Sequence, residues 1–248
     1  MNDGNAKENV MALAMHTELV RIQCGPALVE GMLEVPPDPV GIVLFAHGSG
    51  SSRFSPRNNY VAAALRQSHI GTLLMDLLTQ AEDDDQHVRF DIALLTQRLG
   101  AAVDWLQQSP GVSSLPLGLF GASTGAAAAL EVAASRPDDI AAVVSRGGRP
   151  DLAGEAVLKK VLSPTLLIVG SLDVAVIDLN QVAFAALGCE KRIEFIPDAG
   201  HLFEEPGKLA KVASLASGWF IRHMHPPEEE APTGHMKKHA PTSEKRAG

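Results

Sequence analysis

Short apolar runs of strand length alternate with longer segments of helical periodicity along most of this 248-residue chain, and that alternation restricts its fold more than any other feature. The run VGIVLFA at residues 40–46 is apolar throughout, as in a strand that a sheet buries on both faces. Residues 90–108 instead carry apolar side chains at helical spacing. Because strands that alternate with helices form a mostly parallel sheet covered on both faces, the sequence predicts an α/β fold.

The predicted elements form one domain over residues 16–224. An antiparallel hairpin at residues 19–35 opens it, and later strands are predicted at 40–46, 71–76, 115–120, 140–145, 165–170 and 192–196. Helices are predicted at residues 58–67, 90–108, 124–135, 178–187 and 206–223. The flanking sequences are too polar and irregular to bury a core, so residues 1–15 are predicted to be a flexible segment and residues 225–248 a disordered tail.

Composition and charge argue against several classes of partner. A formal net charge of -8 disfavours binding to a nucleic-acid backbone, which relies on clustered Lys and Arg. No stretch of about 18 uncharged apolar residues occurs, so no membrane span is predicted and a cytoplasmic location is expected. Cys24 and Cys189 are the only cysteines and imply reduced thiols. The histidines at positions 223, 225, 235 and 239 match no zinc-binding spacing, so no metal site is predicted.

The strongest local motif is Gly-Ala-Ser-Thr-Gly at residues 121–125, between a predicted strand and a predicted helix. A serine on a sharp strand-to-helix turn needs strained backbone angles, and the neighbouring chain segments come so close that glycine is required on either side. The helix that follows offers unpaired N–H groups where an oxyanion would form. The motif therefore predicts Ser123 as a nucleophile, although a serine that merely caps the helix is an alternative.

A serine nucleophile needs a general base and an acid that orients the base. His201 follows the last predicted strand, and Asp173 follows the strand before it, so both are expected at the edge of the sheet that carries Ser123. The chain order serine, aspartate, histidine is the order used by α/β architectures of this kind. Two other acids compete: Asp178 is interpreted as the cap of the helix at 178–187, and Asp198 as a residue that shapes the histidine loop.

The segment His47-Gly48-Ser49-Gly50 follows the buried strand at 40–46 and is predicted to form the oxyanion hole. Small residues there let backbone N–H groups approach a substrate oxygen. The predicted donors are the backbone N–H groups of Ser49 and of Thr124, the residue after the nucleophile. His47 is expected to organise the loop through bonds to nearby backbone rather than to act as the base.

Two arginines near the predicted site are candidates for binding a substrate carboxylate. Arg53 extends the oxyanion loop, and Arg146 follows the strand at 140–145. The alternative is that both are loop arginines paired with surface acids. The acidic run at residues 82–85 is interpreted as a solvated loop.

The motifs HGSG (47–50), GASTG (121–125), GSLD (170–173) and DAGH (198–201), in this order, resemble the α/β-hydrolase superfamily over residues 17–223. The layout is most similar to its dienelactone-hydrolase-like branch, and the 19 residues between Ser145 and Thr165 leave no room for a substantial cap domain. One departure stands out, since dienelactone hydrolases use a cysteine nucleophile and this chain has Ser123.

The resemblance implies a serine esterase that forms an acyl-enzyme from a small or medium acyl substrate and needs no cofactor. A thioesterase, an acyltransferase or a lactone hydrolase would use the same three residues, so these activities remain open. A non-catalytic binding protein is a further alternative. The natural acyl group, the leaving group and the oligomeric state are not indicated by the sequence.

Overall fold

Eight strands form a single sheet in the protein, a computed structural model that describes residues 14–224. The strands are β1 (His16–Cys24), β2 (Ala27–Val35), β3 (Gly41–Ala46), β4 (Ile70–Met75), β5 (Leu117–Ala122), β6 (Ile140–Arg146), β7 (Thr165–Gly170) and β8 (Lys191–Ile196). Their spatial order is β1-β2-β4-β3-β5-β6-β7-β8. The β1–β2 and β2–β4 pairs are antiparallel and the other pairs are parallel, so the predicted mostly parallel sheet with an N-terminal hairpin is confirmed.

Helices cover both faces of this sheet. They are α1 (Pro56–Gln67), α2 (Gln80–Asp83), α3 (Ile92–Gln108), α4 (Gly125–Ser135), α5 (Glu155–Leu158), α6 (Val174–Ala186) and α7 (Lys208–Met224). Short 3₁₀ turns lie at Val88–Phe90 and Pro150–Ala153. No cap domain interrupts the described chain, since only a 3₁₀ turn and the one-turn helix α5 lie between β6 and β7.

The two faces of the sheet bury separate apolar clusters. Side chains of α3 and α4 pack on one face together with the inner side of the β1–β2 hairpin. Side chains of α1 and α7 pack on the other face against Val43, Phe45 and Phe120. Every residue of β3, β4, β5 and β7 is buried, which explains why these strands appear in the sequence as uninterrupted apolar runs.

The order of the strands determines where a ligand can bind. The chain passes from β3 to β4 on one side and then returns to β5 on the other side of β3. In open α/β sheets the crevice beyond the carboxyl ends of the strands at such a reversal is the usual binding position. The loops after β3, β5, β6, β7 and β8 all leave the sheet at this edge, because these strands are parallel.

Two sequence interpretations were wrong, and both concern helix starts. The helix predicted at 178–187 begins at Val174, so Asp178 lies inside α6 and does not cap it. The acidic run at 82–85 is not simply a solvated loop. Its first residue, Glu82, ends a capping box with Thr79 in the one-turn helix α2 and pairs at 2.6 Å with Arg98, a buried side chain of α3. A local pattern does not reveal such a partner 16 residues away.

The predicted C-terminal tail lies outside the described residues, as do residues 1–13 of the predicted N-terminal segment. None of the helices within residues 14–224 combines the length and apolar character needed to cross a membrane. Over the same residues, no group of three or more His, Cys, Asp or Glu side chains is arranged to hold a metal ion.

Candidate active site

Ser123 stands on a tight turn between β5 and α4, and its φ of 50° lies in the left-handed region. A β-carbon on Gly121 would lie 2.4 Å from Ala126 Cα, and one on Gly125 would lie 2.2 Å from the carbonyl oxygen of Ala46. Both obstacles are backbone atoms that cannot move aside, so glycine is required at each position. The positive φ is costly for serine and is held only because the surrounding strand and helix are tightly packed.

The loop after β3 lies directly against this turn. A β-carbon on Gly48 would come within 2.9 Å of Ser123 Cβ, so the loop reaches the nucleophile only because residue 48 has no side chain. The backbone N–H of Ser49 donates to the Thr124 hydroxyl at 3.0 Å. Thr124 lies at the N-cap of α4, where backbone N–H groups lack intrahelical acceptors. The two predicted oxyanion donors are thus neighbours.

His47 anchors this loop to the end of β4. Its Nδ1–H donates to the carbonyl of Gly48 at 2.9 Å, and its Nε2 accepts from the backbone N–H of Leu77 at 2.9 Å. Only a neutral ring can serve both contacts, because protonation would turn the acceptor nitrogen into a donor. Burial lowers the pKa of His47 below its ordinary value and so favours this neutral form.

His201 and Asp173 face each other across the ends of β8 and β7. His201 Nδ1 lies 2.6 Å from Asp173 Oδ2, and the aspartate is the more buried of the two side chains. Asp173 occupies the N-cap position of α6 but makes no side-chain capping bond, so its carboxylate is used for the histidine instead. Within residues 14–224, Ser123 Oγ makes no hydrogen bond to His201; such contacts are often long in structures without substrate.

Asp198, a competing acid in the sequence, does not contact the histidine ring. Its side chain is 86% exposed, and its nearest ionic neighbour is Lys208 Nζ at 3.9 Å. Its backbone N–H donates to Ser171 Oγ at 2.8 Å, and the backbone N–H of Leu172 donates to the carbonyl of Ala199 at 2.9 Å. These two bonds join the loop that carries Asp173 to the loop that carries His201.

The two candidate carboxylate-binding arginines have different surroundings. Arg53 forms ion pairs with Asp76 and with Glu30, the latter at 2.7 Å, and its backbone N–H also donates to Asp76 at 2.8 Å. Arg146 is 7% exposed, and its Nε and Nη1 atoms are buried without a hydrogen-bond partner among the described residues. Sequence reasoning did not identify Glu30 and Asp76 as partners of Arg53, because both lie 23 positions from it.

A cavity of about 310 Å³ lies beside the loop after β3. His47 and Arg53 contribute to its wall, and its polar lining comes from β2 and from the loop after β4 as well. Its charged residues are Glu30, Arg53, Asp76 and Asp83, three acids and one base. Because strands and loops distant in sequence build this cavity, no local motif indicates it.

Comparisons with known proteins agree with this fold. The family model described as an alpha/beta hydrolase domain matches residues 39–214. A dienelactone hydrolase from Anabaena variabilis is 52% identical and superposes with a TM-score of 0.83, covering 85% of this chain and 99% of that chain. The chain therefore belongs to the α/β-hydrolase domain family. Within that family it is similar to the dienelactone-hydrolase-like branch, and the sequence-based recognition is confirmed.

More distant and longer relatives are also found. The protein Est1E from Butyrivibrio proteoclasticus shares the fold with a TM-score of 0.72 at 15% identity, over 83% of this chain and 98% of that one. Curated proteins from two strains of Mycobacterium tuberculosis, which carry the provisional name phosphoribosyl transferase, are 52% identical over 210 residues, or 85% of this chain. The chain spans about half the length of these curated relatives, 47% of each.

Proposed function

We propose that this protein is a serine hydrolase that cleaves a carboxylic ester of a small or medium acyl substrate. Ser123 is the nucleophile, His201 the general base and Asp173 the acid that orients the base. The observation that carries the proposal is the 2.6 Å contact between His201 Nδ1 and Asp173 Oδ2. A partly buried carboxylate on that nitrogen leaves Nε2 as the proton acceptor, which is the tautomer a serine needs.

The reaction proceeds in two halves. Ser123 Oγ attacks the ester carbonyl while His201 Nε2 takes its proton, and the imidazolium formed is stabilised by Asp173. His201 then gives the proton to the departing alcohol, which leaves Ser123 acylated. Water attacks the acyl-enzyme with His201 again as base, the serine is released, and the carboxylic acid departs.

The backbone N–H groups of Ser49 and Thr124 are proposed to bind the oxyanion of each tetrahedral intermediate. In the free protein the Ser49 N–H is already paired with the Thr124 hydroxyl at 3.0 Å. An incoming substrate oxygen therefore replaces a hydroxyl acceptor with one that carries developing negative charge, which is the stronger acceptor. Loss of one such donor typically lowers kcat about 100- to 1000-fold.

Thioester cleavage, lactone opening and acyl transfer would all use the same acyl-enzyme, so a panel of substrates must separate them. The transferase name of the curated relatives gives no reason to prefer phosphoribosyl transfer here, because this chain covers only 47% of each of them. We propose a small molecule, rather than a nucleic acid, as the substrate, since the acidic chain is poorly suited to a polyanion.

Labelling with a fluorophosphonate probe tests the proposal directly. The folded wild-type protein should be labelled at Ser123, whereas Ser123→Ala should not, and Ser114→Ala, which changes an exposed serine away from the site, should be labelled like the wild type. Hydrolysis of p-nitrophenyl esters of graded chain length, with thioester and lactone controls, then gives the substrate class. A folded wild-type protein that neither reacts with the probe nor hydrolyses any of these substrates would support the non-catalytic alternative.

A further inference from the structure

The guanidinium group of Arg146 is buried without a counter-charge. The residue ends β6 and is 7% exposed, and its Nε and Nη1 atoms have no hydrogen-bond partner among residues 14–224. None of the ion pairs formed within the described chain includes it. The charged group that acts on it is Arg57, which has the same sign, and burial together with this neighbour lowers the pKa of Arg146 to about 10.

Other buried arginines of the same protein have the carboxylate partner that Arg146 lacks. Arg98 and Arg53 are also largely buried, yet each has a carboxylate at 2.6–2.7 Å. An isolated buried charge is strongly unfavourable in a folded protein, and buried arginines are normally paired. The protein therefore has at Arg146 a positive group for which residues 14–224 provide no counter-ion.

Arg57 extends this positive region towards solvent. It lies in the first turn of the 12-residue helix α1, whose N-terminal dipole adds further positive potential. Its Nη1 donates to Glu204 at 2.7 Å, while its Nε is buried without a hydrogen-bond partner. Arg57 also lines an open cleft of about 530 Å³, whose other charged lining residues are Glu204 and Glu205. An anion that reaches both guanidinium groups would meet one that is partly exposed, at Arg57, and one that is buried, at Arg146.

Arg146 lies next to the turn and the loop that carry the candidate catalytic residues. The backbone N–H of Ser123 donates to the carbonyl of Arg146 at 3.3 Å. A β-carbon on Gly147, the following residue, would lie 2.9 Å from the carbonyl oxygen of His201. Glu204, the partner of Arg57, lies three residues beyond His201. A group bound between Arg57 and Arg146 would thus lie alongside the loop that carries the general base.

We propose that Arg146 and Arg57 bind an oxyanion group, a carboxylate or a phosphate, that the ester substrate carries besides its reactive carbonyl. This inference rests on the proposed esterase function for the identity of the ligand as a substrate, whereas the anion site itself does not depend on it. Arg53 is not part of the site, because two carboxylates already neutralise it.

Thermal unfolding with simple anions tests the site without any substrate. Wild type, Arg146→Met and Arg57→Gln are unfolded at constant ionic strength with added inorganic phosphate, with added acetate, and with neither. Arg192→Gln serves as the matched control, because Arg192 is an exposed, ion-paired arginine at the opposite, amino end of β8. We expect at least one anion to raise the Tm of the wild type and of the control but not that of Arg146→Met.

The same measurement separates binding from a structural role. Without added anion, Arg146→Met should unfold at or above the wild-type Tm, because it removes an uncompensated charge and keeps most of the side-chain volume. Arg57→Gln, a change in a partly exposed side chain, should lower the response to the anion and so provides a second variant if Arg146→Met does not fold. A wild type whose Tm responds to neither anion overturns the proposal, and a response to only one identifies the group bound.

Kinetics with matched esters then tests the link to the substrate. The wild type should hydrolyse p-nitrophenyl hemisuccinate with a kcat/KM about 10- to 100-fold above that of p-nitrophenyl butyrate, the range expected for a hydrogen-bonded ion pair. Arg57→Gln should abolish this preference by lowering kcat/KM for the hemisuccinate, whereas the control Arg192→Gln should retain it, and an ester that carries a phosphate serves as the second anionic substrate. Turnover without any preference for either anionic ester would overturn the inference and leave the esterase proposal intact. An anion-dependent Tm without turnover of any ester would support the anion site and contradict the esterase proposal.

Discussion

The neutral His47 ring should make the stability of this protein depend on pH in a defined window. Its two ring nitrogens serve opposite roles, since Nδ1 donates to Gly48 and Nε2 accepts from Leu77. Burial is the main reason that its pKa in the folded protein lies below the ordinary value of 6.5. In the unfolded chain the same ring titrates near that ordinary value. Below pH 6.5 the unfolded chain therefore binds a proton at residue 47 that the folded protein does not bind.

The sign and the size of the effect follow from proton linkage. Stability rises with pH wherever the unfolded state binds more protons, so it should fall as the pH drops below 6.5. One proton changes the free energy of unfolding by at most about 1.4 kcal/mol per pH unit, and this is the largest slope that His47 alone can contribute below pH 6.5. His223, whose pKa is also lowered by burial, acts in the same direction. The carboxylates with lowered pKa, such as Glu82, lose their contribution mainly below about pH 5, at the lower end of this window.

Urea unfolding at pH 5.0, 5.5, 6.0, 6.5 and 7.0 measures this dependence. The wild type should lose stability on acidification, His47→Gln should lose much less, and His223→Gln should retain most of the wild-type slope. A free energy of unfolding that is flat over this range in the wild type would refute the neutral, doubly bonded ring. An equal loss of stability on acidification in His47→Gln and in the wild type would show that another group is responsible.

Three further changes test the site and the turn that supports it. Asp173→Asn should lower kcat on a p-nitrophenyl ester by about 10³- to 10⁴-fold with little change in KM, because the amide no longer favours the His201 tautomer that accepts a proton from serine. Gly125→Ala should cost about 3 kcal/mol or more in urea unfolding, since the added carbon would lie 2.2 Å from the backbone oxygen of Ala46. By contrast, Gly100→Ala in the middle of α3, where a β-carbon has no neighbour within 4 Å, should stabilise the protein by about 0.5–1 kcal/mol in the same assay.

Much of the architecture could be predicted because the determining signals are local. Strands buried on both faces need apolar residues at every position, so β3 and β7 were recognisable as runs, and β7 was predicted with its observed bounds. Parallel strands end at one edge, so residues that follow β5, β7 and β8 were expected to meet there. The contact between His201 and Asp173 is the observed instance of that expectation.

The contacts that could not be predicted from local sequence involve partners that lie far apart in the chain. Asp173 and Asp178 both resemble helix caps in sequence, and only the packing of the loop after β8 against β7 gives the former a histidine in place of a capping bond. Glu82 appears solvated until α3 places Arg98 beside it.

The sheet, the serine turn and the edge that carries the candidate site could be predicted from the sequence, because strand burial and glycine requirements are properties of neighbouring residues. The tertiary structure alone distinguished the two arginines, which look alike as loop residues. Arg53 meets Glu30 from β2 and Asp76 after β4, whereas Arg146, at the end of β6, is buried without an ion-pair partner among residues 14–224 and is affected by the like charge of Arg57. A charge is neutralised or left free by what lies within a few ångströms of it in space, and those neighbours come from chain positions that no local pattern connects.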